Sequence, residues 1–206
     1  MNKVLIFGVV TKLKISTDKK KISFVQTPQN LPRFFEYEID NKIYFIPIEN
    51  IIGKEGEGFK IALSTLDGGR IGIASQALGI AQASLDASVS YSKERIQFGK
   101  PIAANQAIQF KIADMAMEIE SARMLIHKAA WLKDQKQNYS HLASMAKVYA
   151  SEVAMRASTQ CVQIHGGFGF MRESGIERLM RDAKITQIYE GTSEIQRVVI
   201  ARALLK

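Results

Sequence analysis

Between about residues 103 and 164 the apolar positions recur in alternating steps of four and three. Ile108, Ile112, Met115, Ile119, Ala122, Ile126 and Ala129 make one such row. This spacing returns side chains to one side of a helix. It predicts a helix from about Ala103 to about Lys133 with the a/d seam of an antiparallel bundle. A second row, Ala146, Ala150, Val153, Ala157, Cys161 and Ile164, predicts a helix from about His141. Its residues are small, so a partner helix can approach closely. A third row, Ala74, Leu78, Ala81, Leu85 and Val89, lies within a helical stretch Ile71–Arg95. Phe59–Asp67 reads as a shorter helix before it, with Gly68-Gly69 as the weak point between them. Gly99-Lys100-Pro101 is a break, and Pro101 suits the first turn of the next helix. A short helix through Ile176–Asp182 and a last one after Ser193 complete the set. Long amphipathic helices joined by short breaks predict a mainly α chain, an up-and-down four-helix bundle.

The pattern differs before residue 54. Val4–Val10, Ile22–Thr27, Phe34–Ile39 and Ile43–Ile48 are short runs rich in branched and aromatic residues, and Asp40-Asn41 reads as a hairpin turn. Pro28, Pro32 and Pro47 limit strand length. The chain therefore divides into a short β-rich segment, 1–53, and a helical bundle, 54–206. Such short strands bury little alone and are expected to lean on the helices.

Composition narrows the chemistry. With 206 residues there is room for one good core. The net charge of +8 suits a polyphosphate ligand such as a coenzyme A ester or a dinucleotide. Nucleic acid is disfavoured, because the basic residues are spread along helices rather than gathered with aromatics. The densest basic run, Lys12, Lys14, Lys19, Lys20 and Lys21, reads as a solvated loop or a phosphate contact. The single cysteine, Cys161, excludes an intrachain disulfide and a cysteine-built metal site. It shares a helical row with Ala157 and Ile164, as a core thiol does. His127, His141 and His165 have no partners at metal-ligand spacing, so no metal is expected. Val4–Val10 is too short to span a membrane and lacks a cleavage pattern after it. A cytoplasmic location is the expectation.

The chemistry concentrates in Arg181–Gln196. Glu190 sits between Tyr189 and Gly191, just before a helix whose Ser193 and Gln196 fit a capping box. Gly191 allows close approach of a ligand, and the free N–H groups of a helix start favour an electron-rich one. Two readings stand on the residues alone: a solvated turn glutamate, or a general base beside a cofactor. Gln163–Phe170, with Gly166, Gly167 and Gly169, likewise reads as a helix stop or as a close-approach turn.

Ile-Tyr-Glu-Gly-Thr-Ser-Glu-Ile-Gln at 188–196 resembles the catalytic loop of the acyl-CoA dehydrogenases. Further blocks resemble the same family in the same order: Asn50–Phe59, Leu66–Ala77 (Leu-Asp-Gly-Gly-Arg-Ile-Gly-Ile-Ala-Ser-Gln-Ala), Glu94–Pro101 (Glu-Arg-Ile-Gln-Phe-Gly-Lys-Pro), Gln163–Gly169 and Arg178–Gln196. The resemblance covers about Asn50 to Lys206, the family's C-terminal helical domain. It implies a bundle that packs into dimers and tetramers and binds FAD partly across the dimer interface. Glu190 matches the base that removes the α-proton of an acyl thioester, and its backbone N–H matches a donor to the thioester carbonyl. Asp67, Gly68, Gly69, Arg70 and Gly191 match positions that meet the acyl-CoA. Arg95, Gln106, Gln163, Ile164, His165, Gly166, Gly167, Thr192, Ser193 and Glu194 match positions that hold FAD. In isovaleryl and long-chain members the base lies beside the arginine that matches Arg70. Gly69 carries no acid there, so Glu190 is the candidate, and the Asp-Gly-Gly-Arg-Ile-Gly-Ile-Ala wording looks most like the short-chain, butyryl-type enzymes.

A complete family member also has an N-terminal helical domain and a middle β-domain. Residues 1–53 look like a remnant of the latter, without its flavin-contacting motif, so the chain is expected to be incomplete. The resemblance implies an FAD-dependent flavoprotein oxidoreductase of fatty acid metabolism that delivers electrons to an electron-transferring flavoprotein. The alternative is a non-catalytic helical oligomerisation module.

Overall fold

The computed structural model describes residues 34–39, 42–47, 52–54 and 56–205. Two units divide at Thr65 and Leu66, and each is taken by itself. In the first, β1 (Phe34–Ile39) pairs antiparallel with β2 (Lys42–Pro47), with Phe34 opposite Pro47 and Ile39 opposite Lys42. These match two of the strands expected from the sequence. The expected strands Val4–Val10 and Ile22–Thr27, and the turn Asp40-Asn41, lie outside the described residues.

Three long helices dominate the second unit. α1 spans Gly58–Glu94, α2 Gln106–Asp134 and α3 Ser140–His165. The expected weak point at Gly68-Gly69 is absent, and α1 runs straight through it. Glycine costs a helix interior only about 1 kcal/mol relative to alanine, which tertiary contacts on both sides easily offset. The start of α2 also differs from expectation. Ile96–Gln97 (β3) pairs with Lys100–Pro101 (β4), a single 3₁₀ turn follows at Ile102–Ala104, and α2 begins at Gln106. Pro101 therefore sits at the end of a small hairpin rather than inside the helix.

Contacts between the helices give their directions. Asp67 and Arg70 near the start of unit two meet Ser140 and Ser144, and Tyr91 meets His165, so α1 and α3 run parallel. Lys111 meets Gln160 and Glu118 pairs with Arg156 at 3.0 Å, so α2 runs against α3. Two shorter helices, α5 (Ile176–Thr186) and α6 (Ser193–Leu204), pack on α3. A one-turn helix, α4 (Gly167–Phe170), links α3 to them.

The core joins the three predicted rows. Ala74, Ala77, Leu78 and Ala81 of α1 meet Met115, Ile119, Ala122 and Ile126 of α2 and Ala146, Ala150, Val153, Ala157 and Ile164 of α3. Alanine predominates, so the backbones pack closely and little volume is left to vary. Leu85, Ile108 and Ile112 are only partly buried and pack around this centre. α3 carries a second buried row beside the first: Ser144, Lys147, Ser151, Ala154, Ser158, Cys161 and His165. Both rows place α3 at the middle of the bundle. Among the described residues no helix is long and apolar enough to cross a membrane.

Candidate active site

The Glu190 turn lies between α5 and α6. Its closing hydrogen bond runs from Ser193 N–H to Gln187 O, 3.0 Å. Glu190 has φ 53° and Gly191 φ 89°, two consecutive residues in the left-handed region. For a residue with a Cβ this costs roughly 1–2 kcal/mol, so the turn needs support from outside itself. A Cβ at Gly191 would lie 2.5 Å from Gln196 Nε2.

The helix start differs from the expected capping box. Thr192 is the N-cap, and its Oγ1 accepts from Ile195 N–H at 3.4 Å. Isoleucine then occupies the third helical position and cannot reach back. Gln196 lies one residue further on and turns to the loop: its Nε2 donates to Glu190 O (3.1 Å) and Gly191 O (3.0 Å). Ser193 is buried and its Oγ has no partner among the described residues.

The carboxylate of Glu190 rests on α1. A Cβ added at Gly69 would lie 2.5 Å from Glu190 Oε2 and 3.1 Å from its Cδ. A side chain at residue 69 would therefore displace the Glu190 carboxylate from this position, and glycine, although helix propensity disfavours it, leaves the room. Around this seat, Arg70 is buried and pairs with Asp67 at 2.7 Å. Arg70 Nη1 also donates to Ser144 Oγ (3.2 Å), and Ser140 Oγ donates to Asp67 Oδ1 (2.8 Å). Arg70 Nε is buried without a partner among the described residues. Burial and then the Asp67 charge push the Tyr139 phenol up from its ordinary pKa. Asp67, Gly69, Arg70, Glu190 and Gly191 therefore converge on one place, with a positive guanidinium and a carboxylate close to a tight backbone turn, whereas a Cβ added at Gly68 would face Lys133 Nζ of α2 at 3.3 Å.

Lys147 belongs to this site and was not singled out by the sequence. It is fully buried, and its Nζ donates to Gly191 O at 2.7 Å. Burial, then Arg70, pulls its pKa from 10.5 down to about 8, against the opposing pull of Glu194 and Glu190. The available signal was the second small-residue row of α3, into which Lys147 falls at helical spacing.

The residues that match FAD-holding positions divide into two groups. Thr192, Ser193 and Glu194 lie at the start of α6, next to Glu190. There the Glu194 N–H and then the Thr192 hydroxyl hold the exposed Glu194 carboxyl below its usual range. Gln163, Ile164, His165, Gly166 and Gly167 lie at the far end of α3, with Arg95 and Gln106 at the neighbouring ends of α1 and α2. From Lys147 to His165, α3 covers about 27 Å at its usual rise. At the far end, Gly166 (φ 64°, ψ −145°) ends α3 in a conformation open to glycine. Gln163, Gly166 and Gly167 are exposed, whereas Ile164 is in the core. His165 is buried, with Nδ1 2.8 Å from Cys161 O and its ring stacked on Tyr91 at 4.2 Å.

Both groups fit FAD chemically. Nothing lies within 4 Å of a Cβ added at Gly166 or Gly167, so a ligand can reach that backbone, and Arg95 and Gln106 are exposed beside it. At the other end stand the Thr192 N–H, which has no acceptor among the described residues, and the orphaned Ser193 Oγ.

Residues 56–205 match the family model described as acyl-CoA dehydrogenase, C-terminal domain. The short-chain-specific acyl-CoA dehydrogenase of Megasphaera elsdenii is 57% identical over 161 residues, which are 78% of this chain and 42% of that protein. The structure of butyryl-CoA dehydrogenase from Megasphaera elsdenii superposes with TM-score 0.78 at 57% identity, over 79% of this chain and 42% of that one. A chain from a structural study of the electron-transferring flavoprotein of Acidaminococcus fermentans superposes with TM-score 0.77 at 59% identity, over 79% of this chain and 43% of that one. The chain thus spans about two-fifths of the length of these relatives, matching their helical part.

Proposed function

The chain belongs to the acyl-CoA dehydrogenase family, and on that premise we propose that it carries the base-bearing wall of an FAD-dependent dehydrogenase acting on short-chain acyl-CoA thioesters. The observation that carries this reading is the seat of Glu190, whose carboxylate lies against Gly69 beside the buried Arg70. Among the described residues no cationic side chain lies within ion-pair distance of that carboxylate, so its oxygens are open to a substrate. Its α-proton acceptor role needs the substrate thioester held at this turn. Asp67, Gly69, Arg70 and Gly191 are the residues for that contact. As the α C–H bond breaks, charge develops on the thioester oxygen, and the Glu190 N–H, which has no acceptor among the described residues, can donate to it. Bound FAD would supply the acceptor for the β-hydrogen and its electron pair.

Arg95, Gln106, Gln163, Ile164, His165, Gly166 and Gly167 would hold FAD at one end of the bundle, and Thr192, Ser193 and Glu194 at the other. Their separation along α3 favours two cofactors shared between copies of the chain, each touched by opposite ends of two partners. A homodimer or homotetramer follows from that sharing. An electron-transferring flavoprotein is the proposed electron acceptor, and fatty acid metabolism in the cytoplasm the proposed setting.

Absorbance tests the reading directly. Flavin retained after incubation with FAD and desalting, and bleached on addition of butyryl-CoA, would support it for this chain alone. Glu190→Gln should retain flavin without bleaching. Bleaching at the native rate in that variant would remove Glu190 from the role of base. A second reading, a non-catalytic oligomerisation module, is favoured by the outer face of α2. Phe110, Met117, Met124 and Trp131 lie seven residues apart there, each more than half exposed. A chain that assembles through this face but retains no flavin would support it.

A further inference from the structure

Among the described residues, Lys147 is the largest side chain with no solvent exposure. No carboxylate there lies within ion-pair distance of it. An ammonium buried without an ion-pair partner is unfavourable, so a particular contact is expected to offset the cost. That contact is Gly191 O, which accepts from Lys147 Nζ at 2.7 Å and from Gln196 Nε2 at 3.0 Å. Gln196 Nε2 also takes Glu190 O. Both carbonyls of the turn therefore face the protein interior. Because a trans peptide is planar, the N–H groups of Gly191 and Thr192 point the other way. Neither they nor the Glu190 N–H have an acceptor among the described residues.

We propose that Lys147 is a positioning residue: with Gln196 it clamps the two carbonyls of the turn, which holds Glu190 in its left-handed conformation with the carboxylate over Gly69 and the N–H groups of the turn facing outward. The inference rests on the reading of Glu190 as a base for its purpose, but not for its test. A charged donor holds a carbonyl more strongly than a neutral one. The groups that face Lys147 are Arg70 from α1, Glu190 from the turn and Glu194 from α6. Burial and Arg70 bring its proton loss down to about pH 8, so the clamp weakens as pH rises through that value. Global stability moves oppositely. Between about 8 and the ordinary lysine value the unfolded chain binds more protons than the folded one, so this group's contribution to stability rises with pH. The cost to global stability comes from burying the ammonium beside Arg70, so the clamp is to be read from the turn itself and not from the stability of the bundle.

Hydrogen exchange on the full chain separates the two. In Lys147→Met, exchange in the 187–196 segment, including the Ser193 amide bonded to Gln187 O, should rise about tenfold at neutral pH. Protection of α2 and α3 should stay as in the native chain, and the Tm should be equal or higher. Unchanged exchange in that segment, or a loss of protection spread evenly over the bundle, would overturn the proposal. A second measurement reads the carbonyl itself. In the native chain the Gly191 carbonyl carbon-13 shift should differ from that of Lys147→Met at neutral pH, where Lys147 is charged, and an identical shift in the two would overturn it as well. Neither readout requires turnover, so failure here is distinct from failure of Glu190 as the base.

Discussion

Two tight turns lie toward opposite ends of α3, one following it and one packed against it, made by different means. At the far end, Gly166 ends the helix by its own backbone freedom, with nothing near the space a Cβ would fill. At the near end, Glu190 adopts φ 53° despite its side chain, and Gly191 is crowded by Gln196. The first turn is a local property of glycine. The second is imposed by Lys147 of α3, Gln196 of α6 and the surface of α1. Sites that must hold a reacting carboxylate in place are expected to use the second means, because local propensity alone leaves a turn free to relax.

The largest break in this comparison is Glu190→Gln. It keeps the shape of the turn and removes the proton acceptor, so turnover of butyryl-CoA by the assembled enzyme should fall by about 10²–10⁴-fold while circular dichroism and Tm hold. Gly69→Ala comes next and separates propensity from position. Alanine favours the helix by up to about 1 kcal/mol, so the Tm should hold or rise. Its methyl would displace Glu190, and kcat should drop by about 10²-fold. A Gly69→Ala chain with native kcat would show that the carboxylate does not work from this seat.

Stability sharpens the contrast further. Gly191→Ala meets both a left-handed φ and Gln196 Nε2 at 2.5 Å, whereas Gly166→Ala meets backbone strain alone. Thermal denaturation should show a loss of roughly 1–3 kcal/mol for Gly166→Ala and a greater loss for Gly191→Ala. Equal losses would mean that Gln196 yields and the near turn is held by backbone alone. The smallest effect lies beneath the far turn. Burial pushes the Cys161 thiol up, only partly opposed by the neighbouring Ser88 hydroxyl. Iodoacetamide should therefore label the native chain far more slowly than the denatured one throughout the range where a free thiol ionises. Fast native labelling would show that the helix packing around the Gly166 turn opens readily.

The helices α2 and α3 were legible because their rows repeat over many turns, and a period of 3.6 residues is a property of the chain itself. Glu190 and Gly191 were legible as a motif, through resemblance to a family rather than through spacing. Continuity of α1 through Gly68-Gly69 was not, since two glycines signal a break locally and only contacts across the bundle say otherwise. The cap was misplaced by one residue for a similar reason. Thr192 and Ser193 both suit an N-cap, and Gln196 decides between them by donating to the turn instead of closing a box. Lys147 escaped notice because a single lysine in a row of small residues gives no sign of what it reaches.

The sequence by itself determined that this protein builds long amphipathic helices, that their inner faces are small, and which family its loop resembles. These depend on periodicity and on adjacent residues, which the chain order records. Only the tertiary structure decided that Gly69 is a seat, that Gln196 faces the loop, and that the acid and the lysine flank one turn. The first and last of those facts join residues more than forty or a hundred positions apart, from Lys147 to Gly191 and from Gly69 to Glu190. No local pattern encodes such distances, because they are set by how α1, α3 and α6 close on one another.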